Sequence, residues 1–147
     1  QNPVASFNPR MTIRRSLCEG LINRKVPLAQ RHHIMQDLLK QCGLDSSCLM
    51  AYPHQLSGGQ CQRAALVRAL MSSPQVLFCD EMTSSLDTIT KRQIMELVLR
   101  LCQQRPMSVV IVDHDTALLA ALCTRILVMK EGSIIDEGPV DEILLRK

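Results

Sequence analysis

Acidic residues follow two apolar runs of strand character in this sequence. Asp80-Glu81 come directly after residues 76–79, and Asp113-His114-Asp115 come directly after residues 108–112. In open α/β sheets the ligand site lies at the carboxyl ends of parallel strands. One carboxylate there can help to hold Mg²⁺ beside phosphate oxygens, and a second can orient or deprotonate a water molecule. Solvated strand ends are the alternative interpretation of the same pattern.

A glycine-containing helix start is the second candidate for chemistry. Residues 56–60 read Leu-Ser-Gly-Gly-Gln, and Ser57 with Gln60 matches the S-x-x-Q capping box. Unpaired backbone N–H groups and the helix dipole favour an anion at such an N-terminus, and glycines let a phosphate approach closely. The alternative is an ordinary capped helix with a glycine-rich lead-in.

The elements that must position these residues fall into a helical first half and a mixed second half. The pattern predicts a loop over residues 1–10, helical structure over 16–41 with an interruption at Pro27, a short helix over 44–50, and a helix from Ser57 that ends at residues 72–74. It then predicts strands at 76–79, 108–112, 126–129 and 134–135, and helices at 88–104, about 115–123 and 139–147. Alternating strands and helices indicate right-handed crossovers and a parallel sheet.

Composition narrows the class of protein. The 147 residues suit one domain, and an aromatic content of 2% means that the core must be aliphatic, with Met and Cys as fillers. A net charge of +3 is too small to indicate a nucleic-acid partner. No apolar run is long enough to span a bilayer.

Cysteine and histidine placement argues against a zinc site. None of the seven cysteines forms a CxxC pair. Their odd number and scattered placement predict reduced thiols in a cytosolic setting. His32-His33 are interpreted as a helix surface, because a metal site needs further ligands.

The candidate motifs, in their order and spacing, resemble the ATP-binding cassette (ABC) family. The residues that carry the resemblance are 56–60, Arg63, Asp80-Glu81, 84–87 and His114, and it covers essentially the whole chain. It implies an α/β fold, with part of a P-loop NTPase (ABC ATPase) core, a parallel sheet and a helical signature subdomain. The implied division is a Q-loop over 1–11, the helical subdomain with the signature motif over 12–72, and the C-terminal part of the RecA-like core over 73–147.

The same resemblance implies ATP and Mg²⁺ as cofactors and gives each motif a role. Glu81 corresponds to the general base, His114 to the switch histidine that meets the γ-phosphate, and Gln1 to the Q-loop glutamine near Mg²⁺. Asp80 corresponds to the Walker B aspartate, which with Gln1 would serve the metal. The implied nucleotide-binding residues are the signature residues Ser57, Gly58, Gly59 and Gln60, together with Asp87 of the D-loop at 85–87.

The subfamily and partners also follow from the resemblance. Gln1-Asn2-Pro3, residues 7–12 and residues 52–55 are similar to the oligopeptide, dipeptide and nickel importers. This implies a motor subunit that energises import through ATP-driven dimerisation. The implied partners are a second ATPase subunit, membrane permease subunits and, indirectly, an extracytoplasmic substrate-binding protein, with no nucleic acid. The implied location is peripheral, on the cytoplasmic face of the inner membrane, through the permease.

One expected motif is missing from the sequence. The phosphate-binding loop has the pattern G-x-x-x-x-G-K-[ST], and none of the six glycines is followed by Lys. We therefore expect a C-terminal fragment that hydrolyses no ATP on its own. Met82 also stands where the family usually has Pro, and Cys61 where it usually has a polar residue, but neither change removes a catalytic group. The alternatives are a soluble ABC-type ATPase of DNA repair or translation and a non-catalytic interaction fragment.

Overall fold

The fold is known from a computed structural model, which describes residues 4–83 and 86–145, except the side chain of residue 145. Two short 3-10 helices, Ser46–Met50 and Pro53–Gln55, lie between the second and third α-helices. The α-helices are α1 (Ile13–Asn23), α2 (Leu28–Gln41), α3 (Gly58–Leu70), α4 (Thr88–Gln104), α5 (Thr116–Leu122) and α6 (Val140–Leu145). The strands are β1 (Val76–Asp80), β2 (Ser108–Val112), β3 (Arg125–Lys130) and β4 (Ser133–Pro139).

The chain forms two compact units, one ending at Val110 and the other beginning at Ile111. The first contains α1–α4, β1 and the start of β2, and the second contains the rest of β2 and the elements that follow it. The three-segment division at residues 11 and 72, which follows functional motifs, stays a prediction.

The core of the first unit is aliphatic, as predicted. α3 packs against α1, α2 and α4. The side chains of Ile13, Leu38 and Val67 are 2% exposed or less. α1 begins at Ile13, three residues before the predicted helical stretch, because Ile13 is itself a core residue whose N–H donates to the Ala51 carbonyl at 2.9 Å.

β1 and β2 form the predicted parallel pair. They are neighbours in one sheet, and the Ser108 N–H donates to the Gln75 carbonyl at 2.9 Å, which joins the starts of both strands. Within β1 only alternate side chains are buried: Leu77 and Cys79 are covered, whereas Phe78 is 72% exposed. The apolar run is therefore a strand, as predicted, but the described residues cover only one of its faces.

The apolar residues of α4 at positions i, i+3, i+4 and i+7 correctly predict which face of the helix is buried. Ile94, Leu97, Val98 and Leu101 are all buried, and the helix runs over the predicted residues 88–104. Its N-terminal cap is Asp87, whose carboxylate accepts hydrogen bonds from the N–H groups of Ile89 and Thr90.

The second unit contains an antiparallel hairpin beside its helices. β3 pairs with β4 in antiparallel register, so the parallel prediction applies to β1 and β2 alone. Glu131 and Gly132 connect the strands with φ values of +50° and +78°. Positive φ at both central residues of a two-residue turn is the geometry that matches the twist of a hairpin.

The cysteines serve as small apolar residues. All seven are free, and five of them are buried. Burial raises the pKa of the Cys42 thiol to about 11 and that of the Cys79 thiol to about 12, so both are neutral thiols. In the described part of the chain, no helix combines the length and the hydropathy needed to cross a bilayer.

Candidate functional site

The predicted helix start at the Leu-Ser-Gly-Gly-Gln segment is confirmed. Ser57 is the N-cap of α3: its hydroxyl oxygen accepts from the Gln60 N–H at 3.2 Å, and the Gln60 side-chain oxygen accepts from the Ser57 N–H at 2.9 Å. Ser57 and Gly58 are exposed at this helix end. Gln60 is predicted to bind nucleotide, and its side-chain oxygen is already engaged in the cap.

Two hydrogen bonds order the turn before α3, and one of them joins the turn to the helix. The Cys61 thiol donates to the Pro53 carbonyl at 3.4 Å, and the Gln55 side-chain oxygen accepts from the Tyr52 N–H at 2.7 Å. Cys61, which departs from the family pattern, is fully buried. Its replacement of a polar residue is therefore explained by packing beneath the helix start.

The two glycines at the helix start differ in their surroundings. A Cβ added to Gly58 would lie 3.6 Å from Leu86 Cδ2, an ordinary contact, so packing does not require glycine there. A Cβ added to Gly59 would lie 3.0 Å from Thr90 Cγ2, which is closer than side chains normally approach. Glycine at position 59 thus avoids a close approach to α4, whereas packing sets no such limit at Gly58, which lies at an exposed helix N-terminus of the kind that binds phosphate groups.

The helix start of α3 therefore lies beside the start of α4. Leu86 and Asp87, which belong to the predicted D-loop, adjoin Gly58 and cap α4. Hydrogen bonds from the Thr90 side chain and backbone hold the pKa of the exposed Asp87 carboxyl below its usual value. The carboxylate predicted to bind nucleotide thus has an evident role as a helix cap.

The carboxylates that are predicted to form the Walker B site lie at the carboxyl end of β1. Asp80 is its last residue and is exposed, and Glu81 follows directly and is half-buried. Glu81 has φ +41°, a left-handed conformation that is rare and costly for a residue with a side chain. Such conformations cluster at functional sites, where the fold holds a side chain in a required direction. An exposed strand-end carboxylate with a second one beside it suits Mg²⁺ and a water molecule.

His114 lies in the second unit. It directly follows Asp113, and its side chain is 80% exposed, with Nδ1 3.9 Å from the Asp113 carboxylate. The Asp113 side chain is only 5% exposed and also accepts from the Asp115 N–H. The Asp115 carboxylate caps α5 by accepting from the Leu118 N–H. The predicted meeting of His114 with a γ-phosphate stays a prediction.

Some predicted residues lie outside the described part of the chain. These are Gln1, proposed for the Q-loop, and Ser84-Ser85 near the D-loop. Among the residues that are described, no three His, Cys, Asp or Glu side chains gather closely enough to hold a metal ion.

Sequence reasoning missed two tertiary contacts of the predicted signature motif. Thr90 limits the side chain allowed at position 59, and Leu86 adjoins position 58. One local signal pointed toward them: Asp87 is a favoured N-cap residue, so a helix beginning at Thr88 places Thr90 in its first turn. The contact between the two helix starts, however, depends on tertiary packing.

Comparison with known proteins decides the family. The family model for ABC transporters matches residues 1–84, more than half of the chain. The chain belongs to the ABC transporter family. Its ABC fold is mixed α/β, with the parallel strands and helices described above.

Curated relatives of this ABC chain include peptide transport proteins. It is 40% identical over 144 residues to the di/tripeptide transport ATP-binding protein DppF of Pseudomonas aeruginosa, covering 97% of this chain and 45% of that protein. It is 34% identical over 145 residues to the oligopeptide transport ATP-binding protein OppF of Escherichia coli, covering 97% and 43%. The ABC chain thus spans less than half the length of these relatives.

Solved structures agree with this assignment. CbiO1 from Clostridium perfringens, part of the ABC transporter complex CbiONQ, matches with a TM-score of 0.87 at 27% identity, covering 98% of this chain and 57% of that one. The dimeric ATP-binding cassette MJ0796, in a post-hydrolysis state bound to ADP and Pi, matches with a TM-score of 0.80 at 29% identity, covering 95% and 60%.

Proposed function

We propose that this chain is the signature and Walker B part of the ATP-hydrolysing motor subunit of an ABC importer for peptides. The observation that carries the proposal is the exposed start of α3, where Ser57 caps the helix and Gly58 adds no side chain at the helix N-terminus. The carboxylates of Asp80 and Glu81 at the end of β1 supply the second set of groups that such a motor needs.

The Walker B residues would act on the hydrolytic step. Bound Mg-ATP supplies the γ-phosphoryl group that water attacks. The Asp80 carboxylate would hold the metal, and the Glu81 carboxylate would orient the water and accept its proton. The exposed His114 side chain would donate a hydrogen bond toward the γ-phosphate and stabilise developing negative charge. Gln1 would join Asp80 near the metal.

The signature residues would act on the nucleotide of a second subunit. Ser57, Gly58 and Gly59 would contact an ATP molecule held by the phosphate loop of that subunit. The ATP-binding cassette MJ0796, whose solved structure is similar to this chain, is dimeric, and this supports the arrangement. The G-x-x-x-x-G-K-[ST] pattern of such a phosphate loop does not occur in residues 1–147.

The transport assignment is supported by the relatives. DppF and OppF carry names of peptide transport ATP-binding proteins, and CbiO1 is part of a transporter complex. We therefore propose that membrane permease subunits recruit this protein to the cytoplasmic face of the membrane. An extracytoplasmic binding protein would deliver peptides to the permease.

Recovery of partners from membranes tests the transport assignment. A tagged copy of the protein is incubated with detergent-solubilised membranes, and the bound proteins are identified by mass spectrometry. We expect peptide permease subunits to be enriched at least tenfold over a tag-only control. Enrichment of ribosomal or DNA-repair proteins instead would contradict the transport function and support a soluble ABC-type ATPase.

A further inference from the structure

Arg68, in the last turn of α3, reaches a segment 62 residues earlier in the chain. Its Nη1 donates to the Ser6 carbonyl oxygen at 2.6 Å. Its guanidinium carbon lies 4.4 Å from the centroid of the Phe7 ring, within the range of a cation–π contact. Phe7 is 3% exposed and its N–H donates to the Val4 carbonyl, so residues 4–7 form a compact turn at this point.

The side chain of Arg68 is partly withdrawn from solvent. The side chain is half-buried, and this burial lowers the pKa of Arg68 although the charge of Glu19 on α1 opposes the shift. Because a guanidinium stays charged in proteins, its partial burial requires partners. The Ser6 carbonyl and the Phe7 ring supply them.

Arg68 also lines two open cavities. One, of about 270 Å³, is lined by Ser6, Phe78, Asp80 and Met82 as well as Arg68. The other, of about 320 Å³, is lined by Arg68 together with residues of α1 and the end of α3. Arg68 is thus a junction between the segment 4–7, the end of β1 and the helical part of the first unit.

α3 joins this junction to the signature motif. Ser57 caps the start of the helix and Arg68 lies eleven residues later, which corresponds to about 16 Å along the axis of a continuous α-helix. A rigid helix transmits a displacement of one end to the other. Residues 4–7, which follow Gln1 in the sequence, are therefore attached to the far end of the helix that begins with Ser57.

We propose that Arg68 is a positioning residue that locks residues 4–7 to α3, so that the signature motif and the segment following Gln1 move as one body. The functional consequence rests on the proposed function: binding of nucleotide at Ser57 and Gly58 would reposition the segment that follows Gln1. The attachment itself needs no nucleotide and is testable in the chain alone.

Hydrogen exchange measures the attachment directly. Amide exchange is followed by mass spectrometry in the wild-type chain, in Arg68→Met, which keeps an unbranched apolar stem, and in Arg68→Lys, which keeps the cation. Arg100→Met, on the exposed face of α4, is the matched control. We expect Arg68→Met to speed exchange in residues 4–11 about tenfold, as loss of a hydrogen bond from a charged group predicts. We expect Arg68→Lys to recover part of the loss, and Arg100→Met to change nothing there.

Two outcomes would overturn the proposal. Unchanged exchange in residues 4–11 of Arg68→Met would mean that Arg68 does not hold the segment. An equal rise throughout α3 and α1 would mean that Arg68 stabilises the whole unit rather than positioning one segment.

A kinetic measurement tests the coupling in the assembled transporter. We expect Arg68→Met to lower permease-dependent stimulation of ATP hydrolysis at least fivefold and to change the KM for ATP less than twofold, with partial rescue by Arg68→Lys. If the permease stimulates ATP hydrolysis by Arg68→Met as strongly as it stimulates the wild type, the proposed coupling is wrong. If the wild-type assembly hydrolyses no ATP, the proposed function fails, and the exchange result alone decides whether Arg68 positions residues 4–7.

Discussion

At the residue scale, the neighbouring residues Gly58 and Gly59 of the predicted signature motif differ in how much space surrounds them. Gly59 faces Thr90 of α4, and an added Cβ would come within 3.0 Å of its methyl group. Gly58 has room for a methyl group next to Leu86. Packing therefore does not explain glycine at position 58, and the proposed access for a ligand would.

Alanine substitutions separate these reasons. We expect Gly59→Ala to lower the free energy of unfolding by about 1–3 kcal/mol, the usual cost of overpacking. Thr90→Ser in the same chain removes the crowding methyl group and keeps the hydroxyl, so it should restore most of the loss. Gly58→Ala should leave stability unchanged or raise it by about 0.4–1 kcal/mol, and yet impair ATP hydrolysis in the assembled protein.

Urea unfolding of the variants measures these differences in stability. Equal destabilisation by both alanines, or failure of Thr90→Ser to help Gly59→Ala, would contradict the packing argument. Normal ATP hydrolysis in Gly58→Ala would remove the argument for ligand access at that position.

Glu81 combines an acidic side chain with a strained backbone. Its φ of +41° costs of the order of 1–3 kcal/mol in a residue other than glycine. Because Glu81 directly follows the exposed Asp80 at the end of a strand, the conformation supports its proposed role as general base.

We predict that Glu81→Gln lowers ATP turnover in the assembled motor by about 10²–10⁴-fold, the usual contribution of a general base. Gln has nearly the same shape, so binding of nucleotide should persist. Steady-state phosphate release measures the turnover. Glu96→Gln, on the exposed face of α4, is the control and should be close to wild type. A near-wild-type rate in Glu81→Gln would remove this residue from the role.

At the element scale, the start of α4 depends on the ionised form of Asp87. Hydrogen bonds from Thr90 favour the carboxylate and lower the pKa of Asp87 in the folded state. The ionised carboxylate therefore contributes stability above the pKa of the unfolded chain, and this contribution is lost as the pH falls through the lower folded pKa.

We predict that the stability advantage of the wild type over Asp87→Asn is larger at about pH 7 than at about pH 3. Asparagine keeps an oxygen that can cap the helix but does not titrate. Urea midpoints of both proteins, measured across this range, give the comparison, and Asp37→Asn on the exposed face of α2 serves as the control. An advantage that stays constant or grows toward low pH would contradict the role of the charge.

The packing of α4 gives a second prediction at this scale. Ile94 is 0% exposed and Ile89, on the same helix, is 71% exposed. We expect Ile94→Ala to lower the free energy of unfolding by about 2–5 kcal/mol and Ile89→Ala to change it by less than about 0.5 kcal/mol. Thermal or urea unfolding distinguishes the variants. Equal losses would mean that α4 does not pack through the predicted face.

Local patterns predicted the elements well. The capping box of Ser57 and Gln60 and the apolar face of α4 involve residues three or four positions apart, so the sequence alone reveals them. The left-handed conformation of Glu81 was not predictable, because nothing in its neighbours demands it. The contact of Arg68 with Ser6 was also missed, since it joins residues 62 positions apart through tertiary packing.

Beyond local patterns, the function of the candidate site came from the resemblance to a family. By itself, Asp80-Glu81 after a strand is equally compatible with a solvated strand end. Its spacing from the signature motif and from His114 is what favours the catalytic interpretation. The structure adds the cap made by Asp87 and the contact between Gly59 and Thr90, which the spacing of the motifs does not reveal.

At the scale of the whole molecule, the central claim is that this chain shares nucleotide sites with a second ABC subunit. In this proposal, the start of α3 meets an ATP molecule that the phosphate loop of the second subunit holds. The claim therefore concerns association of the two subunits. Mg-ATP should strengthen this association, and Gly58 should lie at the interface between the subunits.

Sedimentation of this chain with an ABC subunit that carries a phosphate loop and cannot hydrolyse ATP tests the claim most directly. With the wild-type chain, we predict that Mg-ATP strengthens association at least tenfold, whereas with Gly58→Glu, which places a negative charge at the proposed phosphate position, Mg-ATP has less than a twofold effect. Association that ignores ATP, or that responds to ATP equally in the wild type and Gly58→Glu, would contradict the account.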